Sequence, residues 1–263
     1  MLVNSRFVAF VTGGGGGLGS AAVKRLLGLG AKVAAVDSKD EYLEALLRDV
    51  GPSSSLLTLQ CNVRHEHEVA SAVEQTLHAF GSLHAAVPCA GIVKATPFSL
   101  EKSWDMDIFK ECMDVNVMGT VYTAMYAAMA MKQNAPTARG ERGSITMVSS
   151  ICASEGEHDL VAYSGSKAAL QGMMLPMARD LTRVGIRVNC IAAGSFETNI
   201  YRKLAEELGL TYDEFLETRA NEIFSKIPVG KSEPDDFAHT VQYLIENRYV
   251  NAASIRLDGG MRL

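Results

Sequence analysis

The chain has 263 residues, 48% hydrophobic and 21% charged, an ordinary globular composition with enough length for one large α/β domain. A formal net charge of −5 with no basic block argues against nucleic acid as a partner, and no apolar run approaches the ~18 residues of a membrane span. The five cysteines are odd in number and contain no C-x-x-C pair, so they read as small buried hydrophobes in a reducing compartment.

Phe7 to Val11 is an apolar run of strand length. The few residues before it are too short for a secretory signal or an ordinary cleaved transit peptide, so the cytoplasm is the expected compartment and the mitochondrial matrix the alternative. Thr12-Gly13-Gly14-Gly15-Gly16-Gly17-Leu18-Gly19 follows, and then a helical pattern through Ala21, Ala22, Val23, Leu26, Leu27 and Leu29. Strand, glycine loop and helix in that order form a cradle for a pyrophosphate, which the N–H groups at a helix start can bind. The glycine run satisfies both G-x-G-x-x-G and T-G-x-x-x-G-x-G, and it does not choose between them. Lys32 to Asp37 is the second strand. Asp37 lies 18 residues beyond Gly19, where a carboxylate can accept from ribose hydroxyls and repel a 2′-phosphate, so NAD is expected rather than NADP.

Tyr42 to Val50 reads as a helix. Leu56 to Leu59 reads as a strand ending in Cys61-Asn62-Val63, and the pattern Val69, Val73, Leu77, Phe80 as a helix. Leu83 to Val87 is a fourth strand, ending in Pro88-Cys89-Ala90-Gly91. Helices are predicted near Leu100 to Asp105 and from Met106 to about Gln133. The second carries Asn116 among apolar residues, either as a helix–helix hydrogen bond or as a catalytic group. Asn134 to Gly143 is a loop with the look of an insertion. His65 and His67 lack completing ligands, and no metal is expected.

Ile145 to Val148 is a strand with Ser150 just beyond it, where open α/β sheets bind ligands. Tyr163 and Lys167 are four apart and share a helix face. A free tyrosine titrates near ~10. A neighbouring ammonium lowers that value and brings the phenol closer to proton transfer at neutral pH. The helix continues to about Val184, and Pro176 should kink it. Ile186 to Ile191 is a sixth strand, followed by Ala192 to Thr198. Asn199 to Ile227 is read as helical, with Tyr201, Leu204, Leu208, Phe215 and Phe224 along it, and the stretch 195–228 as a substrate lid. Glu233 to Glu246 is a helix, and Ser254 to Leu257 a seventh strand closed by Asp258-Gly259-Gly260. Alternating strands and helices predict an α/β fold: a single doubly wound Rossmann-type domain over residues 1–263, with a seven-stranded parallel sheet and helices on both faces.

Taken together, the glycine loop, Asn116, Ser150, Tyr163, Lys167 and the Asp258-Gly259-Gly260 end resemble the short-chain dehydrogenase/reductase family in order and spacing, including the 13 residues from Ser150 to Tyr163. Leu175-Pro176-Met177-Ala178-Arg179-Asp180-Leu181, Gly185-Ile186-Arg187-Val188, Ala238-His239, Ile245-Glu246-Asn247 and Ile255 to Gly259 resemble the NAD-dependent type-2 3-hydroxyacyl-CoA dehydrogenases, also called type-10 17β-hydroxysteroid dehydrogenases. The resemblance implies an oxidoreductase moving a hydride between NAD(H) and a secondary alcohol or ketone with an apolar part, working as a homotetramer. It implies Tyr163 as acid/base, Lys167 lowering its pKa and holding the nicotinamide ribose, Ser150 bonding the reacting oxygen, and Asn116 supporting a proton relay. Contacts to NAD are implied for Gly13, Gly16, Gly17, Leu18, Gly19, Asp37, Asn62, Val63, Cys89, Ala90, Gly91, Tyr163, Lys167, Phe196 and Thr198.

Departures from the family pattern are Asn62 for aspartate, Cys89 for the frequent asparagine, Ala193 for proline, and an acidic stretch at Glu155-Gly156-Glu157-His158-Asp159-Leu160. If its carboxylates face the cleft, that stretch opposes the phosphates of coenzyme A. The alternatives are an NADPH-dependent 3-oxoacyl-carrier-protein reductase and an NAD-binding scaffold subunit of a larger complex.

Overall fold

The computed structural model describes residues 1–96, 98, 105–198, 205, 209–220 and 224–263. Its strands are β1 (Val8–Thr12), β2 (Lys32–Asp37), β3 (Leu56–Gln60), β4 (Ala85–Pro88), β5 (Gly143–Ser150), β6 (Ile186–Ala193) and β7 (Ser254–Leu257). They form one parallel sheet in the order β3-β2-β1-β4-β5-β6-β7. The order reverses between β1 and β4, so a crevice opens beyond their carboxyl ends. The described helices are α1 (Gly17–Gly28), α2 (Asp40–Val50), α3 (Glu66–Phe80), α4 (Met106–Met113), α5 (Gly119–Met131), α6 (Val161–Thr182), α7 (Tyr212–Phe215) and α8 (Pro234–Glu246). None is long and apolar enough to cross a membrane.

Side-chain alternation along the strands builds two cores. Phe10, Val36, Ala86, Ile145, Met147 and Val188 face one way and pack with Val73 of α3, Ala127 and Met131 of α5 and Met174 of α6. Val11, Ala35, Val87, Val148 and Ile191 face the other way, under Leu26 of α1, Leu46 of α2 and Phe237 of α8. Burial on both faces is why most strands read as unbroken apolar runs. A third cluster joins Ile151, Ala205, Phe215, Phe224, Ile227 and Met261 near the carboxyl edge of β5 and β7.

Beyond shifts of one or two residues at element ends, the structure differs from the sequence reading in three places. The expected helix Met106 to Gln133 is α4 and α5 joined by a π-helical turn, Asp114–Met118, with the fully buried Asn116 inside it. Strand β5 runs past Val148 to Ser150, because the polar residues flanking its apolar centre keep the ladder with β6 from Gly143↔Ile186 to Ser150↔Ala193. Of the expected helical stretch 199–227, the described residues show α7, a following π turn, Leu216–Ala220, and helical backbone at Ala205, Phe224 and Ser225. Tyr201, Leu204, Leu208 and the helix expected at 100–104 lie outside the described residues, while Asp105 caps α4 by accepting from the Asp107 and Ile108 N–H groups.

His84 precedes β4 and stacks on Phe7 at 5.3 Å, and its Nδ1 accepts from the Val8 N–H at 3.1 Å. Burial holds its pKa below that of a free imidazole. The neutral ring is therefore the folded form. The stability tied to it is complete above the unfolded pKa of ~6.5 and is lost as pH falls through that value towards the lower folded one. Urea midpoints measured between about pH 7 and about pH 5 should fall more steeply for the wild type than for His84→Gln, which cannot titrate. Parallel curves would remove His84 from the acid response.

Candidate active site

The glycine loop is shaped by close backbone packing. Gly13 has φ +64°, and a Cβ on it would lie 2.8 Å from the Ala90 nitrogen, so the loops after β1 and β4 touch there. A Cβ on Gly19 would overlap the Gly13 carbonyl, and one on Gly17 would overlap Thr198, which places Thr198 over the start of α1. Thr12 pins the neighbouring loop: its carbonyl accepts from Cys89 N at 3.2 Å and its hydroxyl from Ala90 N at 3.3 Å. Helix α1 begins at Gly17, after Gly16 as N-cap, with no side-chain cap and no acidic residue in its first turn. Its leading N–H groups, with Leu18 beside them, thus suit a pyrophosphate.

Asp37 ends β2 beside this loop and is 8% exposed; one carboxylate oxygen accepts from Gly15 N at 3.2 Å and the other from Lys39 N at 3.3 Å. Asn62 follows β3. Its Oδ1 accepts from Arg64 N at 3.1 Å, and its own N–H donates to Glu68 Oε2 at 2.8 Å. The Val63 side chain is buried against Gly119, where a Cβ would approach it to 2.6 Å. Phe196 is likewise buried, its ring edge-on to Phe237 at 6.3 Å.

Ser150 is the last residue of β5, and its Oγ accepts from Cys152 N at 3.2 Å. That bond leaves the hydroxyl proton to be donated elsewhere. Tyr163 and Lys167 lie in the first turns of α6. Lys167 is 5% exposed; its Nζ donates to Val148 O at 2.9 Å and sits 5.7 Å from the centroid of the Tyr163 ring. Burial lowers the Lys167 pKa from its ordinary value. Burial also pushes the Cys89 thiol up to about 12 and the Cys190 thiol up to about 11, so neither is a thiolate at neutral pH.

Asn116 makes the structural hydrogen bonds that the sequence left open to it. Its Nδ2 donates to Ile92 O at 3.0 Å and to Ser166 Oγ at 2.9 Å, and its Oδ1 accepts from Ile92 N at 2.9 Å. It therefore ties the π turn to the loop after β4 and to α6. It also stands beside Lys167: a Cβ on Gly91 would lie 3.2 Å from Lys167 Nζ and 3.3 Å from Asn116 Oδ1.

Two serines escaped the sequence reading. Ser166 donates to Tyr163 O at 2.7 Å, and Ser149 donates to Lys167 O at 2.7 Å. Both clamp the turn that carries the tyrosine and the lysine. Their only signal was position, next to Lys167 and next to Ser150.

The acidic stretch is partly neutralised. Glu155 pairs with Arg256 at 2.6 Å and Arg262 at 3.8 Å, and the Arg256 hydrogen bond, together with one from Leu263 N, holds its carboxyl below the usual range. Asp159 has φ +61°, and its carbonyl accepts from Thr96 N at 2.5 Å.

Residues 7–209 match the family model for short chain dehydrogenase. The chain is 36% identical over 261 residues to 3-hydroxyacyl-CoA dehydrogenase type-2 of Homo sapiens, covering 97% of this chain and 95% of that protein. The crystal structure of 3-hydroxyacyl-CoA dehydrogenase type-2 from Mycobacterium avium is similar at a TM-score of 0.86 and 32% identity, covering 98% of both chains. That of a 3-ketoacyl-(acyl-carrier-protein) reductase from Brucella melitensis complexed with NADH has a TM-score of 0.82 at 26% identity, covering 97% of both chains. With this sheet order and this match along its length, the chain belongs to the short chain dehydrogenase family, oxidoreductases that act on CH–OH groups with a nicotinamide cofactor.

Proposed function

We propose that this protein is an NAD(H)-dependent dehydrogenase that interconverts a 3-hydroxyacyl-CoA and its 3-oxoacyl-CoA, with hydroxysteroids as a second substrate class. The observation that carries the chemistry is the buried Lys167 ammonium one helical turn from Tyr163 and beside Asn116. In reduction, Tyr163 gives its hydroxyl proton to the substrate oxygen, and in oxidation it takes that proton back. Ser150, its Oγ held by Cys152 N, donates its own hydroxyl to the same oxygen. Lys167 favours the phenolate and holds the nicotinamide ribose. Asn116 holds the proton path behind it. The bound nicotinamide supplies or accepts the hydride.

The residues that would hold NAD are Gly13, Gly16, Gly17, Leu18 and Gly19 at the pyrophosphate. Asp37 would bind the adenosine ribose, Asn62 and Val63 the adenine, and Cys89, Ala90, Gly91, Phe196 and Thr198 would line the cleft. Asp37 supports NAD over NADP, because a buried carboxylate at the end of β2 repels a 2′-phosphate. Glu155, already paired with arginine, does not oppose coenzyme A as a lone charge. The segment 195–228 serves as the substrate lid. Exposed Met125 and Met129 on α5 and Leu175 on α6 suit the contacts of a homotetramer. The five unpaired cysteines suit a reducing compartment, the cytoplasm or else the mitochondrial matrix.

The test is oxidation of NADH, beside NADPH, by the purified protein with acetoacetyl-CoA, a 3-oxoacyl-carrier protein and a steroid ketone. NADH-specific turnover of acetoacetyl-CoA, lost in Tyr163→Phe, is the expected result. Asp37→Ser should raise kcat/KM with NADPH relative to NADH by about tenfold or more, as one charge repulsion is removed. NADPH-driven turnover of the carrier-protein substrate by the wild type would overturn both assignments.

A further inference from the structure

Residues 256–263 fold into a tight knot at the carboxyl edge of the sheet. Arg256 bonds to Asp258 through Nε and donates from Nη2 to Met261 O at 2.7 Å. Arg262 donates to Met261 O at 2.6 Å and to Asp258 Oδ2 at 3.2 Å. The knot touches three other parts of the chain. Glu155, just past the turn that follows Ser150, receives Arg256 at 2.6 Å and Leu263 N at 2.9 Å. Gly194, after β6, donates to Leu257 O at 2.8 Å. Met261, 2% exposed, is packed among Ile151, Phe215, Phe224 and Ile227. Ile151 is the residue next to Ser150, so one buried cluster joins the neighbour of the proposed catalytic serine to Phe215, Phe224 and Ile227.

We propose that Glu155, Arg256 and Met261 are positioning residues that form a latch, holding the turn after Ser150 against the cluster of Phe215, Phe224 and Ile227, and that this latch sets the affinity for the apolar part of the substrate. The proposal rests on the functional reading above for its substrate, though not for the latch itself. The two halves of the latch act differently. The Glu155–Arg256 pair is 24% and 29% exposed and fixes where the turn sits. Met261 supplies the apolar surface against which Ile151 and the two phenylalanines stay ordered.

The test uses Glu155→Gln, Arg256→Gln, the double variant and Met261→Ala. KM and kcat are measured with NADH over a series from acetoacetyl-CoA to 3-oxododecanoyl-CoA. Glu155→Gln should raise KM about fivefold with kcat within about twofold, the size expected of a half-buried ion pair. The double variant should fall clearly short of the sum of the two single effects, because the shared contact is lost once. Met261→Ala should raise KM increasingly with chain length, to about tenfold for the longest substrate, with NADH affinity unchanged.

Hydrogen–deuterium exchange gives a readout that needs no substrate. Peptides spanning 151–160 and 209–220 should both exchange faster in Glu155→Gln, while the glycine loop 13–19 does not change. A fall in kcat at constant KM, additive effects in the double variant, or faster exchange in 151–160 alone would each overturn the latch. Missing turnover of every 3-oxoacyl-CoA by the wild type would overturn the substrate reading instead, and the exchange experiment would still decide the latch.

Discussion

Lys167→Met is expected to lower kcat/KM for ketone reduction by about a hundredfold or more while leaving the protein folded. Lys167 is almost wholly buried, and its ammonium donates to Val148 O beside the Tyr163 ring. Burial works against the charge, as the lowered pKa of this group shows. A buried lysine that served only packing would be replaced by methionine at little cost, since the two share length and flexibility. Stability should therefore drop by no more than the one orphaned carbonyl requires, ~1–3 kcal/mol. The catalytic loss comes from the missing charge, which on the proposed assignment favours the Tyr163 phenolate and holds the ribose. Lys167→Arg is not a rescue: a planar fork does not fit a point-charge site closed by Gly91 and Asn116. Because burial lowers the pKa of Lys167, the wild type should lose rate on the alkaline side, and the residual rate of Lys167→Met should lack that limb. Steady-state kinetics with a thermal melt on the same sample decides it. A variant keeping more than about a tenth of the wild-type rate would remove Lys167 from the chemistry.

The framework of this fold was legible because a doubly wound sheet writes itself into sequence. Strands buried on both faces appear as apolar runs, and β2 and β7 have the bounds read from the sequence, Lys32–Asp37 and Ser254–Leu257. What escaped has a common physical origin. Ser149 and Ser150 are polar yet buried, so hydrophobicity ended β5 too early, although its backbone ladder with β6 does not depend on side-chain polarity. The π turn at Asp114–Met118 has no periodic signature, since one extra residue in a turn does not disturb an apolar stripe that is broad already. Asn116 was visible as a buried amide. Its partners Ile92 and Ser166 come from separate segments that only the tertiary fold brings together. The sequence left open whether the carboxylates of 155–160 face the cleft, and the arginines that pair with Glu155 lie a hundred residues later in the chain.

Arg187→Met should cost about 3–5 kcal/mol of stability, the range for breaking a buried ion pair from one side. Arg187 lies on β6, 6% exposed, and anchors the end of α8. Its guanidinium donates to Leu244 O at 2.8 Å, Ile245 O at 2.7 Å and Val250 O at 2.8 Å, and to Glu141 Oε1 at 3.3 Å. Leu244 and Ile245 are in the last turn of α8, where carbonyls have no partner within the helix and the dipole favours a cation. Methionine keeps most of the apolar stem but satisfies none of these groups. Among the described residues, it leaves Glu141 with the Met1 nitrogen, at 3.0 Å, as its one charged partner. Adding Glu141→Gln should therefore recover part of the loss, because the uncompensated carboxylate is what burial penalises most. The effect should stay in stability. Arg187 stands near the start of β6, six residues before Ala193, so it is ~20 Å from the carboxyl edge where Ser150 lies. Urea unfolding of the single and double variants, with kcat measured well below the melting range, separates the two readouts. A loss under ~1 kcal/mol would mean that the carbonyls find water instead. A fall in kcat matching the fall in stability would mean that α8 transmits strain to the site, and the anchor would have to be reassigned to function.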